Sequence, residues 1–299
     1  MPSEKMLAVI DGLFKRRLAR PAIAPPLEVL RAGFAPAGVI HEIPDDVAVV
    51  EVSAAGVPAF WIEAPTAQRD RVLLFVHGGG FSLGSIRSHG ELAARLGRVS
   101  RARVLFPEYR LAPEHPFPAG LEDVQSAWHW LVEDQSVPPE SIVLVGDSAG
   151  GNLITAFTLA VRDSGAALPA ATVLLSPVLD LTASGRSFVE REGQDPKFTA
   201  IALRSLYSDY LAGSDPLDPL ASPLFANLVG LPPVLIQVGT AELLLSDSER
   251  FAAAARAAGV DVTLQIEEGL PHVYPIMRDT PEAAGSTIEI AEFIRKHLA

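Results

Sequence analysis

The stretch VLVGDSAGGNL, residues 143–153, sets a serine among Gly146, Gly150 and Gly151 where a short apolar run gives way to a helical pattern. Before it, IVLVG from Ile142 reads as a buried strand; after it, GNLITAFTLAV reads as the start of an apolar helix. A GxSxG sequence at such a junction forces a sharp, strained turn with the serine exposed at its crest, and the small flanking residues let strand and helix approach closely. The helix, read over residues 149–162, aims its free amides and positive dipole end at the same point. Ser148 is therefore a candidate nucleophile, placed where developing negative charge is favoured.

Working outward, the same grammar repeats. Apolar runs begin at Val72 (VLLFV), Arg103 (RVLFP), Thr172 (TVLLS), Val234 (VLIQVG) and Val262 (VTLQI). Between and after them, helical patterns occupy residues 87–99, 119–133, 247–258 and 280–298. The alternation predicts an α/β fold with a mostly parallel central sheet flanked by helices on both faces, and a ligand site at the carboxyl ends of its strands. Upstream, residues 47–52 and 57–63 read as an antiparallel hairpin around Gly56. The rhythm breaks between Leu181 and Pro223, a segment too long for a plain crossover, with a helix expected over residues 200–211. At the N-terminus, Met6, Ile10, Leu13, Phe14 and Leu18 fall near helical spacing, as in a helix docked on its own protein. The chain divides accordingly into N-terminal cap helices (1–45), a first core segment (46–183), a cap insertion (184–222) and a second core segment (223–299).

Composition narrows the function classes. The 299 residues are 48% apolar, enough for a sizeable core, and carry 24 basic against 36 acidic side chains, a net charge of −12. No dense basic run exists to track a phosphate backbone, so nucleic acid is not an expected partner. The absence of cysteine excludes disulfides, thiolate catalysis and Cys-ligated metals. Charged residues interrupt the first twenty positions, so no signal-peptide core is read, no window suits a membrane span, and a cytoplasmic location is expected.

Three further features converge on Ser148. LLFVHGGGFSLGS places Gly78, Gly79 and Gly80 directly after a central strand, where backbone free of side chains brings amides to a substrate oxygen. No GK[ST] follows, which argues against a phosphate loop. A serine also needs a base. Of the seven histidines, His272 in EEGLPHVYP stands just beyond the last strand, at the required edge; the other six sit in loops, helices or the terminal turn. Finally, the imidazole needs a carboxylate to fix its tautomer. GTAELLLSDSERF offers Glu242, nearer the strand end, and Asp247, which is also placed, like Ser246, to cap the next helix. Glu242 is the preferred acid, with Asp247 kept as its rival.

With HGGG, GDSAGG and the late histidine in place, the chain resembles the bacterial hormone-sensitive lipase family of carboxylesterases within the α/β-hydrolase fold. The segment EYRLAPEHPFPAGLEDV, residues 108–124, is the most specific element of the likeness. The resemblance implies Ser148 as nucleophile, His272 as base, and the amides of Gly79, Gly80 and Ala149 as oxyanion hole. His77 would orient the glycine loop, and the two cap segments would cover the strand ends. Where many relatives carry an acidic DPLxDE segment, this chain reads ELLLSDS, with Glu242 at the acid's position. The implied reaction is hydrolysis of short- to medium-chain esters, with a small ester and water as partners and no metal or cofactor. Pairing into a homodimer along the VTLQI edge is also implied. Two alternatives stay open, a lactone or amide hydrolase with the same triad and a non-catalytic receptor on the same fold. In Arg110, Glu114 and Asp123 the sequence suggests internal ion pairs, and in Trp128 and Trp130 packing.

Overall fold

A computed structural model of the chain describes residues 1–20 and 25–298. Positions 21–24, inside the segment 1–45 assigned to the cap, and position 299, the last of the segment 223–299, lie outside the described residues.

Eight strands form one sheet: β1 (Ala48–Ala54), β2 (Val57–Glu63), β3 (Gln68–Val76), β4 (Ala102–Pro107), β5 (Ile142–Asp147), β6 (Ala171–Leu175), β7 (Val234–Gly239) and β8 (Val262–Glu267), in the order β1-β2-β4-β3-β5-β6-β7-β8. The first hairpin pairs antiparallel, β2 meets β4 antiparallel, and every later neighbour is parallel. Along β3 the side chains alternate between two cores: Val72, Leu74 and Val76 enter one, Leu73 and Phe75 the other. That period of two, with both faces covered, is why β5, β6 and β7 are unbroken apolar runs and wholly buried. The expected α/β-hydrolase architecture is present.

The helices are α1 (Glu4–Leu18), α2 (Leu27–Ala32), α3 (Ile86–Ser100), α4 (Ala119–His129), α5 (Ala149–Ser164), α6 (Ser187–Glu190), α7 (Ala200–Leu211), α8 (Leu245–Ala257) and α9 (Pro281–His297). One core joins the sheet to α4, α5, α7 and α8; the other joins it to α1, α3 and α9. Instead of continuing to residue 133, α4 widens into a π-helical turn at Trp130–Asp134. Trp128 packs on Phe157 and Trp130 on Trp61. In α1, Met6 and Leu13 are buried whereas Leu18 is exposed, and Ser3 bonds to Glu282 at the start of α9. Among the described residues, no helix is long and apolar enough to cross a membrane.

The strand order decides what meets at the carboxyl edge. Because β3 lies beside β5, the glycine loop after Val76 falls next to Ser148. Because β7 lies beside β8, the turn holding Glu242 falls next to the loop holding His272, and β6 sits between the two pairs. Residues separated by more than a hundred positions are thus brought together by parallel register alone.

Candidate active site

Ser148 stands between β5 and α5 with φ 51° and ψ −117°, a conformation that costs a non-glycine residue about 1–3 kcal/mol. The turn is held from below: Ser148 N–H donates to Leu175 O (2.8 Å), and its carbonyl accepts from Val178 N (3.1 Å). Glycine is required beside it. A Cβ on Gly146 would lie 2.6 Å from the Gly150 backbone, and one on Gly150 would strike the carbonyl of Val76. The glycines therefore permit the contact between strand and helix that sets Ser148, itself buried, at the lining of the cleft.

His272 is buried in the loop after β8 and its Nδ1 lies 2.6 Å from Glu242 Oε2. Glu242 is fully buried, and its other oxygen accepts from Gly239 N (2.8 Å) and Ser176 Oγ (2.8 Å). Ser176 Oγ in turn accepts from Val273 N (2.9 Å), tying the acid's turn to the histidine's loop. Among the described residues the ring makes no protein hydrogen bond through Nε2. His272 and Ser148 line the same narrow cleft, with Gly79 and Gly80 at one side and Leu203, Leu206 and Tyr207 of α7 above. Phe198 meets the imidazole edge to face at 5.2 Å.

Asp247 has another task. Its Oδ2 accepts from the amides of Leu179 (2.9 Å) and Asp180 (3.1 Å), and its Oδ1 lies 3.2 Å from Arg250. Burial pushes its carboxyl up to about 7. It does not cap α8, whose N-cap is Leu244, and neither does Ser246, whose hydroxyl accepts from Ser187 N. The capping open to both is not used: α8 begins at Leu245, which leaves both side chains inside its first turn.

The glycine loop is fixed by residues that sequence reasoning missed. Gly78 N–H donates to Asp147 Oδ1 (2.9 Å), and a Cβ at position 78 would collide with that carboxylate. Asp147 also lies 3.4 Å from His89 Nε2. Burial would raise the Asp147 carboxyl, but His89 and the Gly78 amide outweigh it and hold it low. Gly79 and Gly80 take φ of 125° and 62°, which L side chains rarely adopt. Among the described residues, the amides of Gly79, Gly80 and Ala149 donate no hydrogen bond to protein, so three donors stand unused beside Ser148. Arg110 pairs with Asp123, and Glu114 with Arg31; none of them lines the cleft.

His77 anchors the loop's start: its Nδ1 lies 2.8 Å from Gly78 O, and its ring stacks on Tyr109 at 4.5 Å. Burial, with His89 nearby, pushes it down to about 3, so it stays neutral at physiological pH. An unfolded histidine binds a proton below about 6.5, whereas this folded one resists to about 3, so stability is lost as pH falls through that window. Chemical denaturation at pH 6.5 and 4.5 should show a drop of about 2–3 kcal/mol in the wild type that is absent in His77→Asn, beyond what both share from other groups.

Comparison with known proteins gives a consistent picture. A family model for the alpha/beta hydrolase fold matches residues 73–276. An acetyl-hydrolase of Streptomyces hygroscopicus is 42% identical over 240 residues, covering 78% of this chain and 80% of that one. An esterase of Acinetobacter venetianus is 35% identical over 244 residues, covering 81% and 80%. Among solved structures, an esterase from the bacterial hormone-sensitive lipase family superposes with a TM-score of 0.91 at 38% identity over 100% of both chains. A variant of the esterase E40 gives 0.94 at 40% identity over 99% of each.

Proposed function

The chain belongs to the α/β-hydrolase family, in its bacterial hormone-sensitive lipase branch of esterases, and on that premise we propose that it is a serine carboxylesterase acting through Ser148, His272 and Glu242. The observation that carries the reading is the 2.6 Å contact between His272 Nδ1 and a fully buried Glu242 in the cleft that Ser148 also lines. It favours a working base over a non-catalytic receptor, in which such a pair has no task.

In the proposed reaction, Ser148 Oγ attacks the ester carbonyl carbon as His272 Nε2 takes its proton. Glu242 accepts from Nδ1–H and stabilises the imidazolium. The amides of Gly79, Gly80 and Ala149 receive the negative oxygen; preorganised donors of this kind typically contribute about 10²–10³ each in turnover. The C–O bond to the alcohol breaks, and the alcohol leaves with the proton from His272. Water then adds to the acyl-enzyme, giving its proton to the same nitrogen, and the acid departs as Ser148 is regenerated. The hydroxyl of Ser148 has no protein partner among the described residues, in keeping with catalytic hydrogen bonds that tighten only with substrate bound.

Residues 1–45 and 184–222 act as the cap in this proposal, supported by Phe34, Phe198 and α7 around the cleft. Their apolar side chains crowd the serine and favour short to medium acyl chains. We extend the proposal to a cytoplasmic enzyme and to a homodimer along β8, an edge strand whose Ile266 is exposed. The decisive experiment is reaction with diethyl p-nitrophenyl phosphate. One equivalent of nitrophenolate should be released, activity on p-nitrophenyl butyrate should vanish, and the diethylphosphoryl mass should map to Ser148. Labelling elsewhere, or none with activity intact, would overturn the reading.

A further inference from the structure

Lys197 belongs to none of the machinery above, yet it lines the cleft with Ser148 and His272 and is 9% exposed. Its Nζ donates to one acceptor, the carbonyl of His272 at 3.2 Å, and among the described residues no carboxylate lies within salt-bridge distance. The neighbouring carboxylates are already engaged. Asp195 accepts from the amides of Lys197 (2.7 Å), Phe198 (3.0 Å) and Leu243 (3.0 Å), Asp147 from Gly78, and Glu242 is paired with His272. Two of the three ammonium protons are left unfilled in a buried place.

The positive charge is reinforced by Arg17 in α1 and by Arg20 just past its end. Arg17 donates to the carbonyls of Asp195 and Phe198, and Arg20 to that of Lys197. Three cations thus gather on the short segment that covers His272, in a protein whose net charge is −12. Burial pushes the Lys197 ammonium down to about 8, and burial together with Arg17 holds the Arg20 guanidinium down. A buried ammonium without a counterion is costly, and a carboxylate delivering two acceptor oxygens would supply what is missing.

Resting on the esterase reading above, we propose that Lys197 is a specificity-determining residue that binds a second, anionic group of the substrate, so that the preferred esters carry a free carboxylate. That carboxylate sits either on the acyl part, as in a dicarboxylic acid monoester, or on the alcohol part, as in the acyl ester of a hydroxy acid.

The test compares kcat/KM, by pH-stat at pH 7, for two matched pairs: monomethyl glutarate with methyl hexanoate, and 4-acetoxybutanoate with pentyl acetate. In the wild type, at least one carboxylate ester should exceed its neutral partner by about tenfold or more, and the pair that responds identifies the side. In Lys197→Met the anionic-to-neutral ratio of that pair should fall by about tenfold to a hundredfold, the range of one charge-assisted hydrogen bond. Lys197→Arg should recover part of it. Loss of the His272 carbonyl contact alone would lower both members equally and leave the ratio fixed; that result overturns the proposal, as does a wild-type preference for the neutral member of both pairs. The wild-type arm stands even if the methionine variant misfolds. Failure of the esterase reading itself would appear differently, as no hydrolysis of any of the four esters.

Discussion

Ser148→Ala should lower kcat on p-nitrophenyl butyrate by about 10⁴–10⁶ while leaving the melting temperature nearly unchanged. The rate loss is large because the nucleophile has no substitute: in this site the remaining imidazole can only activate water from a position set for a serine oxygen. What survives is the contribution of the unused amides of Gly79, Gly80 and Ala149, roughly 10³ over the uncatalysed reaction. Stability should hold because alanine at φ 51° and ψ −117° bears the same backbone strain as serine, and the serine hydroxyl gives up no protein hydrogen bond among the described residues. The pairing of the two readouts distinguishes chemistry from damage. Turnover within tenfold of wild type would remove Ser148 from the mechanism.

Much of this site is legible in the chain because its parts are local. Residues 200–211 and 234–239 carry periodicities that coincide with α7 and β7, and GxSxG places Ser148 at a strand-to-helix turn without any tertiary information. His272 is recognisable by position, since a loop following the last parallel strand must emerge at the carboxyl edge. The supporting contacts are not local and leave weaker traces. Ser176 reads as the end of an apolar run, and nothing near it in sequence says that its hydroxyl bridges Glu242 and Val273. Asp147 resembles any polar residue at a strand end, although its carboxylate holds the glycine loop. Lys197 lies in QDPKFTA, which has no periodicity; the carbonyls of its segment are held by Arg17 and Arg20, about 180 positions earlier. Asp247 and Ser246 carry a local signal that the structure does not use: both side chains are taken by distant backbone donors before they can cap a helix.

The choice of acid gives the second large effect. Glu242→Ala should lower kcat by about 10³–10⁴, whereas Asp247→Ala should leave kcat per titrated active site within about tenfold of wild type and instead lower the melting temperature. Removing Glu242 leaves His272 without the acceptor that fixes its tautomer and stabilises its positive charge. It also strands the Gly239 amide and the Ser176 hydroxyl, so the acid's turn loses its tie to Ser176, which still accepts from Val273 N in the histidine loop. Removing Asp247 touches the imidazole nowhere. It leaves the buried amides of Leu179 and Asp180 unpaired, each costing about 1–3 kcal/mol, and takes one carboxylate from Arg250, which keeps Asp180. Normalising rates to the sites titrated by diethyl p-nitrophenyl phosphate separates fewer folded molecules from slower ones. Glu242→Asp should fall between wild type and alanine, since a carboxylate one methylene shorter still offers an acceptor but must draw the turn inward to reach Nδ1. If the aspartate-to-alanine change at 247 alone abolished turnover per active site, the 2.6 Å contact at His272 would be a structural brace and the acid would have to be reassigned.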